Sequence, residues 1–329
     1  MSAPKQKPAS NPFERIARWA DRLQQRHHIL AFPYAVIKKY GEENAGHQAA
    51  LITYYGFLSL FPLLLVATSV VDIFAQNNPQ LKTQLTNTIN DYIPVIGEGL
   101  QKSIHTPTAS GWALLFGLLF AFYGARGIAD AVRNVLDYAW IVPRAKRKGF
   151  PLNMLKSFAV LIGAGIGMIL TTTLSGYATA AIGNAIGYRV IPLAINALLL
   201  YLIFMFVFKV GSSRPRKRSE LRLGAIVASL GVLVLQVLGT YLMTRHLHTL
   251  TGLYGQFALV LALMFWIYLQ AQVFVYAIEI NVVSTHKLWP RSLVQPPLTA
   301  ADRKAYQLYA QREAYRPGSE QTVEVTFRD

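Results

Sequence analysis

Long apolar runs separated by short basic connections set the pattern of this chain. Six runs hold about twenty or more largely apolar residues each, the length that an α-helix needs to cross about 30 Å of hydrocarbon. Because a helix satisfies its backbone hydrogen bonds internally, it is the element that such runs favour in lipid. The pattern therefore predicts an all-α, polytopic membrane protein with six transmembrane helices. The predicted spans are residues 48–74, 111–131, 157–182, 190–208, 223–244 and 255–283.

Amphipathic segments surround these spans. Residues 12–26 carry Ile16 and Trp19 at helical spacing, opposite several arginines, which predicts a basic helix lying in the headgroup plane. A helix packed on a polar face of the same protein is the alternative interpretation. Residues 75–110 predict two amphipathic helices on the outer membrane face, broken at Pro94.

Basic residues orient the predicted spans. Of the 32 Lys and Arg residues, 28 lie in the alternate segments 1–47, 126–156, 209–222 and 284–329. Under the positive-inside rule these segments face the cytoplasm, so both termini are expected there. Membrane-flanking residues near anionic headgroups then account for the net charge of +16, and no nucleic-acid partner is expected.

Three parts of the chain follow from this topology. Residues 1–47 form a cytoplasmic N-terminal segment that contains the basic amphipathic helix. Residues 48–283 form the six-helix transmembrane domain. Residues 284–329 form a cytoplasmic, partly disordered tail, with one helix predicted near 300–315.

Composition narrows the chemistry. Charged residues make up 15% of the chain, against about a quarter in soluble domains. The absence of cysteine excludes disulfides, iron–sulfur clusters and thiolate zinc sites. The seven histidines have no accompanying carboxylate cluster, and the chain carries neither a G-x-S-x-G motif nor a P-loop. We therefore expect no enzyme, no metal site and no cofactor.

Four charged residues follow the apolar first half of the second predicted span. Arg126, Asp130, Arg133 and Asp137 are separated by four, three and four positions, which places them on one helix face. One interpretation is a helix that leaves the membrane with i,i+4 ion pairs, and Arg133 and Asp137 are then expected to be solvated. The other is an arginine-lined inner cavity that binds phosphate or another anionic headgroup.

Two ionisable residues are expected within the lipid. Arg126 lies fourteen residues after Trp112, so about 21 Å along the helix, inside a core of about 30 Å. Glu279 shares a face of the last span with Gln272, and a carboxylate there needs a partner, a proton or a wet cavity. Contacts of Glu279 with Arg126 or Arg133 are geometrically possible.

The first predicted span holds further candidate residues. Pro62 removes one backbone hydrogen bond and predicts a kink, near which Ser59 can bond a freed carbonyl. Tyr54 and Tyr55 lie about two turns earlier, either as packing and interface residues or as ligand contacts. The glycine-rich stretch 163–167 in the third span favours helix packing, with a polar translocation wall as the alternative.

Three stretches of the chain resemble the YihY/BrkB family of bacterial inner-membrane proteins. They are HQAALITYYGFLSLFPL at 47–63, the region 126–134, and LYGQFA with FWIYLQAQVF between 253 and 274, leading to EIN at 279–281. The resemblance covers roughly residues 30–285 and implies a six-span inner-membrane protein. Some members were formerly labelled ribonuclease BN, but the resemblance supplies no mechanism.

Two functional hypotheses follow. The first is an inner-membrane transporter or lipid-handling protein, of flippase or exporter type, whose arginine- and glutamate-lined cavity opens toward the cytoplasmic side. Its expected partners are anionic lipid headgroups and an unidentified lipid or small-molecule substrate. The second is a non-transporting envelope scaffold that binds partners through its basic cytoplasmic segments. A ribonuclease is disfavoured, because the sequence offers no metal or acid–base constellation. The candidate binding residues are Arg126, Asp130, Arg133, Gln272, Glu279, Tyr54 and Tyr55.

Overall fold

The structure, a computed structural model, is built from α-helices throughout the part of the chain that it describes. The described residues are 12–75, 111–147, 187–316 and 320–327, with short stretches between 155 and 171. The helices are α1 (Pro12–Arg26), α2 (His28–Glu42), α3 (Ala45–Ala75), α4 (Gly111–Ala139), α5 (Gly187–Gly211), α6 (Arg218–His286) and α7 (Ala300–Arg312). No strand occurs among the described residues, so the predicted all-α class is confirmed.

Three stretches of the described helices are long and apolar enough to cross a membrane. They are Ile191–Gly211, Arg218–Gly239 and Val260–His286. A shorter apolar stretch, Leu155–Gly167, lies where the third span is predicted. Helix α3 and the first half of α4 coincide with the first two predicted spans. The count of six spans and the cytoplasmic termini stay predictions, and the helices predicted for 76–110 lie outside the described residues.

Helix α6 is a hairpin of two antiparallel halves. Its 69 residues would extend for about 100 Å if they were straight. Instead, the Gly224 backbone nitrogen donates to Asn281 Oδ1 at 2.6 Å. A β-carbon at Gly239 would lie 2.3 Å from the Trp266 ring. The chain therefore reverses between Gly239 and Trp266, close to the boundary between the last two predicted spans.

Helices α3 and α4 pack with their backbones close together. A β-carbon at Gly124 would lie 2.4 Å from Ser59 Cβ and 2.7 Å from Ser59 Cα. A β-carbon at Gly127 would lie 2.3 Å from the Tyr55 ring. Glycine at these two positions removes the side chains that would hold the helices apart. The result is that Tyr55 of α3 lies directly beside the charged half of α4.

The glycine-rich stretch of the third predicted span packs against α5. A β-carbon at Gly163 would lie 2.2 Å from the Phe206 ring, and one at Gly167 would lie 2.5 Å from Ile203. These contacts favour the packing interpretation of the small residues over a translocation wall, because Gly163 and Gly167 face a neighbouring helix.

The two ends of the chain fold together into a terminal cap, which comprises α1, α2, α7 and the connection 287–299. Phe32 of α2 meets Trp289 edge-on, with ring centroids 5.3 Å apart. The predicted tail helix is present as α7, and it is docked through a small apolar core. The buried members of this core are Ala35, Val36, Val283, Leu288 and Ala305.

Helix α1 combines features of both interpretations of residues 12–26. Asp21 and Gln24 are buried against the rest of the cap, so one face of the helix packs on the protein. Ile16 and Trp19 remain 63% and 60% exposed, so an apolar face is left free. An exposed Ile and Trp beside arginines suit a headgroup layer.

The close approach of α3 and α4 can be tested with one methyl group. Gly124→Ala is expected to destabilise the fold by about 1–3 kcal/mol, because its β-carbon would overlap Ser59. Gly165→Ala is the matched control, because no atom lies within 4 Å of a β-carbon there. Thermal unfolding in detergent measures both variants. Equal melting temperatures would contradict the packing of α3 on α4.

Candidate functional site

A buried ion cluster joins α2 to the end of α6. Lys39 Nζ lies 2.6 Å from Glu279 Oε2 and 2.7 Å from Glu43 Oε2, and it donates to the Ala139 carbonyl at 3.1 Å. The side chains of Lys39 and Glu279 are 0% and 1% exposed. Burial alone would lower the pKa of Lys39, but the charges of Glu279 and Glu43 outweigh it, and the pKa is raised. Lys39 is therefore a fixed cation.

Arg312 of α7 completes this cluster. Its Nη1 lies 2.8 Å from Glu43 Oε1, and its guanidinium stands 3.6 Å above the Tyr138 ring. The same nitrogen donates to the Tyr138 carbonyl at 3.3 Å. Lys39 and Arg312 thus face Glu43 and Glu279, two cations against two carboxylates. Each of these side chains has a partner of opposite type, which is the condition under which buried ionisable groups are tolerated.

A second ion cluster lies on the other side of α2. Arg291 Nη2 lies 2.8 Å from both carboxylate oxygens of Glu42, and Arg291 Nε donates to Asp302. Lys38 Nζ lies 2.9 Å from Asp302 Oδ1. Burial would raise the pKa of Asp302, but hydrogen bonds from Arg291, the Ser292 backbone and Lys38 outweigh it and lower the pKa to about 2. These contacts hold the connection before α7 against α2.

Both clusters depend on a repeated spacing at the end of α2. Lys38 and Glu42 serve the second cluster, and Lys39 and Glu43 serve the first. Two adjacent lysines followed four residues later by two adjacent glutamates were a readable signal of paired charges. Sequence reasoning missed it, because the partners on α6 and α7 lie 240 or more positions away.

A groove runs between α3, α4 and the 3₁₀ turn Arg144–Lys146 that follows α4. Its volume is about 620 Å³. Its floor holds polar and aromatic side chains from both helices, and three arginines stand around it. The lining residues that matter for charge and ring contacts are Tyr55, Tyr123, Arg126, Asp130, Arg144 and Arg147.

The groove has an excess of positive charge. Arg126 and Asp130 are 54% and 44% exposed, and they approach only to 3.7 Å. Burial, together with the charges of Arg144 and Arg312, lowers the pKa of Arg147, although Asp137 opposes the shift. Asp130 is the single acidic residue among the described residues that line the groove, against three arginines. The arrangement favours an anion.

Three of the predicted binding residues, Tyr55, Arg126 and Asp130, meet in this groove. Glu279 does not line it, since it lies in the buried cluster with Lys39. Gln272 accepts a hydrogen bond from the Tyr40 hydroxyl outside the groove. The acidic residue of the groove is therefore Asp130. Arg126 does not contact Glu279, because Arg126 pairs with Asp130 and Glu279 pairs with Lys39.

Arg133 and Asp137 are buried, so the prediction that they form a solvated exit was wrong. They are 5% and 2% exposed. Asp137 Oδ1 accepts from the Ser213 backbone nitrogen at 2.7 Å, and Ser213 Oγ donates to Asp137 Oδ2. Arg133 reaches Asp130 at 4.0 Å. The loop after α5 covers this end of α4 and replaces water as the hydrogen-bonding partner.

The remaining predicted residues lie along α3. Tyr54 is 56% exposed and meets the Tyr55 ring at 5.2 Å. Ser59 is buried and donates to the Gly56 carbonyl at 3.1 Å. Pro62 lies within α3, but the structure does not describe its side chain. The kink at Pro62 therefore stays a prediction. No group of three or more metal-ligating side chains occurs in the described part of the chain.

The buried cluster predicts an asymmetric response to mutation. Lys39→Met is expected to destabilise the protein by about 3–5 kcal/mol, because it leaves two buried carboxylates with less compensation. Adding Glu279→Leu to Lys39→Met is expected to recover part of this loss, because the orphaned charge is removed as well. Chemical unfolding in detergent measures both. A Lys39→Met variant as stable as the parent would contradict the pairing.

Asp302 makes the terminal cap sensitive to acid. Because its pKa is lowered in the fold, it stabilises the folded state fully above a pH of about 4. This contribution, about 2 kcal/mol, is lost as the pH falls from about 4 to about 2. Asp302→Asn is expected to lower the melting temperature at pH 7 and to flatten its decline over that range. An unchanged decline would show that other groups carry the acid response.

Comparisons with known proteins identify relatives of this chain. A family model described as "Virulence factor BrkB" matches residues 36–299. The "Inner membrane protein YhjD" of Escherichia coli (strain K12) is 25% identical over 303 residues, which cover 86% of this chain and 89% of that protein. An uncharacterised protein of Dickeya dadantii (strain 3937) is 26% identical over 251 residues, which cover 69% of this chain and 76% of that protein. No solved structure matches. The resemblance seen in the sequence is confirmed, and the chain belongs to the BrkB family of bacterial inner-membrane proteins.

Proposed function

We propose that this protein handles an anionic membrane lipid, whose headgroup binds in the groove between α3 and α4. The observation that carries the proposal is the set of three arginines, Arg126, Arg144 and Arg147, opposed by Asp130 in one cavity of about 620 Å³. A guanidinium presents a planar fork of donors that matches phosphate and carboxylate oxygens. The groove therefore suits a phosphate-bearing headgroup.

The surroundings of the groove suit the acyl chains of such a ligand. Helix α4 exposes a row of large apolar side chains, and α3 exposes others beside it. The exposed apolar residues of these two helices include Leu51, Leu58, Leu115, Phe116, Leu119, Phe120 and Phe122. A ligand with a charged head and apolar chains would thus find both of its halves matched along one pair of helices.

Arg126 is available to such a ligand. Its contact with Asp130 is long at 3.7 Å, and both side chains are about half exposed. Exposed pairs of this kind contribute about 0–1 kcal/mol, so exchanging Asp130 for a phosphate costs little. By contrast, Lys39 and Arg312 are paired in the buried cluster and are not part of the proposed site.

Transfer of the bound lipid between leaflets is the activity that we propose. The headgroup would enter at the end of the groove marked by Arg144 and Arg147 and move along α4 toward Arg126. An intramembrane arginine lowers the cost of bringing a phosphate below the headgroup layer, because the two charges are desolvated together.

A scaffold function is the second candidate. It is favoured by the exposed Ile16 and Trp19 of α1, which lie beside Arg15 and Arg22 on a surface open to a partner. Deleting the tail would not test it, because α7 carries Asp302 and Arg312 of the two buried ion clusters. Ile16→Gln with Trp19→Gln is the more specific test, because both side chains are exposed.

The proposed activity can be measured in liposomes that contain a fluorescent lipid and are treated with dithionite. The protein is expected to expose inner-leaflet lipid to the reductant. The double variant Arg126→Gln/Arg147→Gln is expected to slow this exposure about tenfold or more, because two charge-assisted contacts are lost. Arg316→Gln is the matched control, because Arg316 is 74% exposed, pairs with Glu320 and is not among the described residues that line the groove. Equal rates in protein-containing and empty vesicles, across lipids of different headgroup, would refute lipid transfer.

A further inference from the structure

The segment 312–315, which we call the strap, begins at the last residue of α7 and lies against Arg144 of the groove. Its Glu313 Oε2 lies 3.0 Å from Nη2 of Arg144, a lining residue of the groove. The Tyr315 hydroxyl accepts from Arg144 Nη1 at 2.7 Å, and the guanidinium stands 4.8 Å from the centre of the Tyr315 ring. The Ala145 backbone nitrogen donates to the Ala314 carbonyl at 3.3 Å. The strap thus binds one of the three groove arginines with an oxyanion.

The strap has a firm end and a weak end. Arg312 is buried and pairs with the buried Glu43 at 2.8 Å, so the start of the strap is held by a desolvated ion pair. Arg144 and Glu313 are 46% and 44% exposed. Solvent screens a pair exposed to this degree, so it contributes much less than the buried pair of Arg312 with Glu43. The contacts of Glu313 and Tyr315 with Arg144 are therefore the ones that a ligand of the groove can replace, because Arg312 holds the start of the strap independently of them.

Glu313 also has a second cationic partner, Arg312, when its carboxylate is released from Arg144. Its Oε1 lies 3.3 Å from Arg312 Nε, on the other side of the carboxylate from Arg144. Release from Arg144 therefore does not leave the carboxylate without a cation. A ligand that binds Arg144 more favourably than Glu313 does can therefore displace the carboxylate, which keeps Arg312 as its partner.

We infer that the strap is a built-in competitor of the groove, in which the Glu313 carboxylate occupies Arg144 until a phosphate-bearing headgroup displaces it. This inference rests on the proposed function, because it assigns the regulation of the same site. A carboxylate and a phosphate both fit the guanidinium fork, and the phosphate carries more oxygens and more charge. Among the three groove arginines, Arg144 is the one that the described contacts of the strap reach directly, whereas Glu313 acts on Arg147 through its charge. Arg126 pairs loosely with Asp130 and can attract the ligand first.

The experiment uses the full chain in phosphatidylcholine nanodiscs, titrated with dioctanoyl phosphatidic acid. Glu313→Gln is expected to tighten binding about two- to fivefold, because the competing charge is removed. Glu320→Gln is the matched control, since Glu320 follows the strap but pairs with Arg316 at 3.7 Å. It is expected to leave the affinity unchanged. In an Arg144→Gln background the effect of Glu313→Gln is expected to disappear.

A parallel titration with inorganic phosphate separates a lipid headgroup from a free anion. If inorganic phosphate binds as tightly as the lipid, and the same variants change both affinities equally, the site binds a free anion and the assignment to a lipid headgroup is overturned. Equal lipid affinity of Glu313→Gln and the parent, with weaker binding by Arg126→Gln, would overturn the strap and leave the proposed function standing. Absence of lipid binding by the parent and by every variant would overturn the proposed function, and the inference with it.

Discussion

The pairing of Lys39 with Glu279 is the constraint on which the terminal cap depends. An ionised carboxylate that is 1% exposed at the end of an apolar helix costs several kcal/mol unless a cation meets it. Lys39 supplies that cation, but Lys39 is itself buried and needs Glu43, and Glu43 needs Arg312. Each charge requires the next, so the cluster ties α2, α6 and α7 to one another.

This closed cluster also explains why the groove keeps its positive charge. Glu279 of α6 is paired with Lys39 in the buried cluster, so it does not compensate the arginines between α3 and α4. Arg126, Arg144 and Arg147 face Asp130 as the one acidic lining residue described. The protein therefore holds two ion systems of different kind. The first is buried and structural, whereas the second is more exposed, and its pairs of Arg126 with Asp130 and Arg144 with Glu313 are open to exchange with an anion.

Several features of the site were predictable from spacing along one helix. The four-residue step between Arg126 and Asp130 predicted an ion pair, and the two side chains do approach each other at 3.7 Å. The environment of the next pair was not predictable in this way. Arg133 and Asp137 share the same helix face and spacing, but Ser213 lies 76 positions from Asp137 and covers it. Periodicity gives the direction of a side chain and contains no information about the segment that packs over it.

The sequence by itself determined that the chain is helical, that its apolar runs are long enough to cross a membrane, and that it belongs with the BrkB family. These properties depend on residue type and local period, which any stretch of sequence carries. Only the tertiary structure decided that Glu279 meets Lys39 and that Arg144 meets Glu313, at separations of 240 and 169 positions. A carboxylate can pair with any lysine or arginine that lies near it, so the sequence does not identify its partner. Helix packing identifies it, through contacts such as that of Gly124 on Ser59.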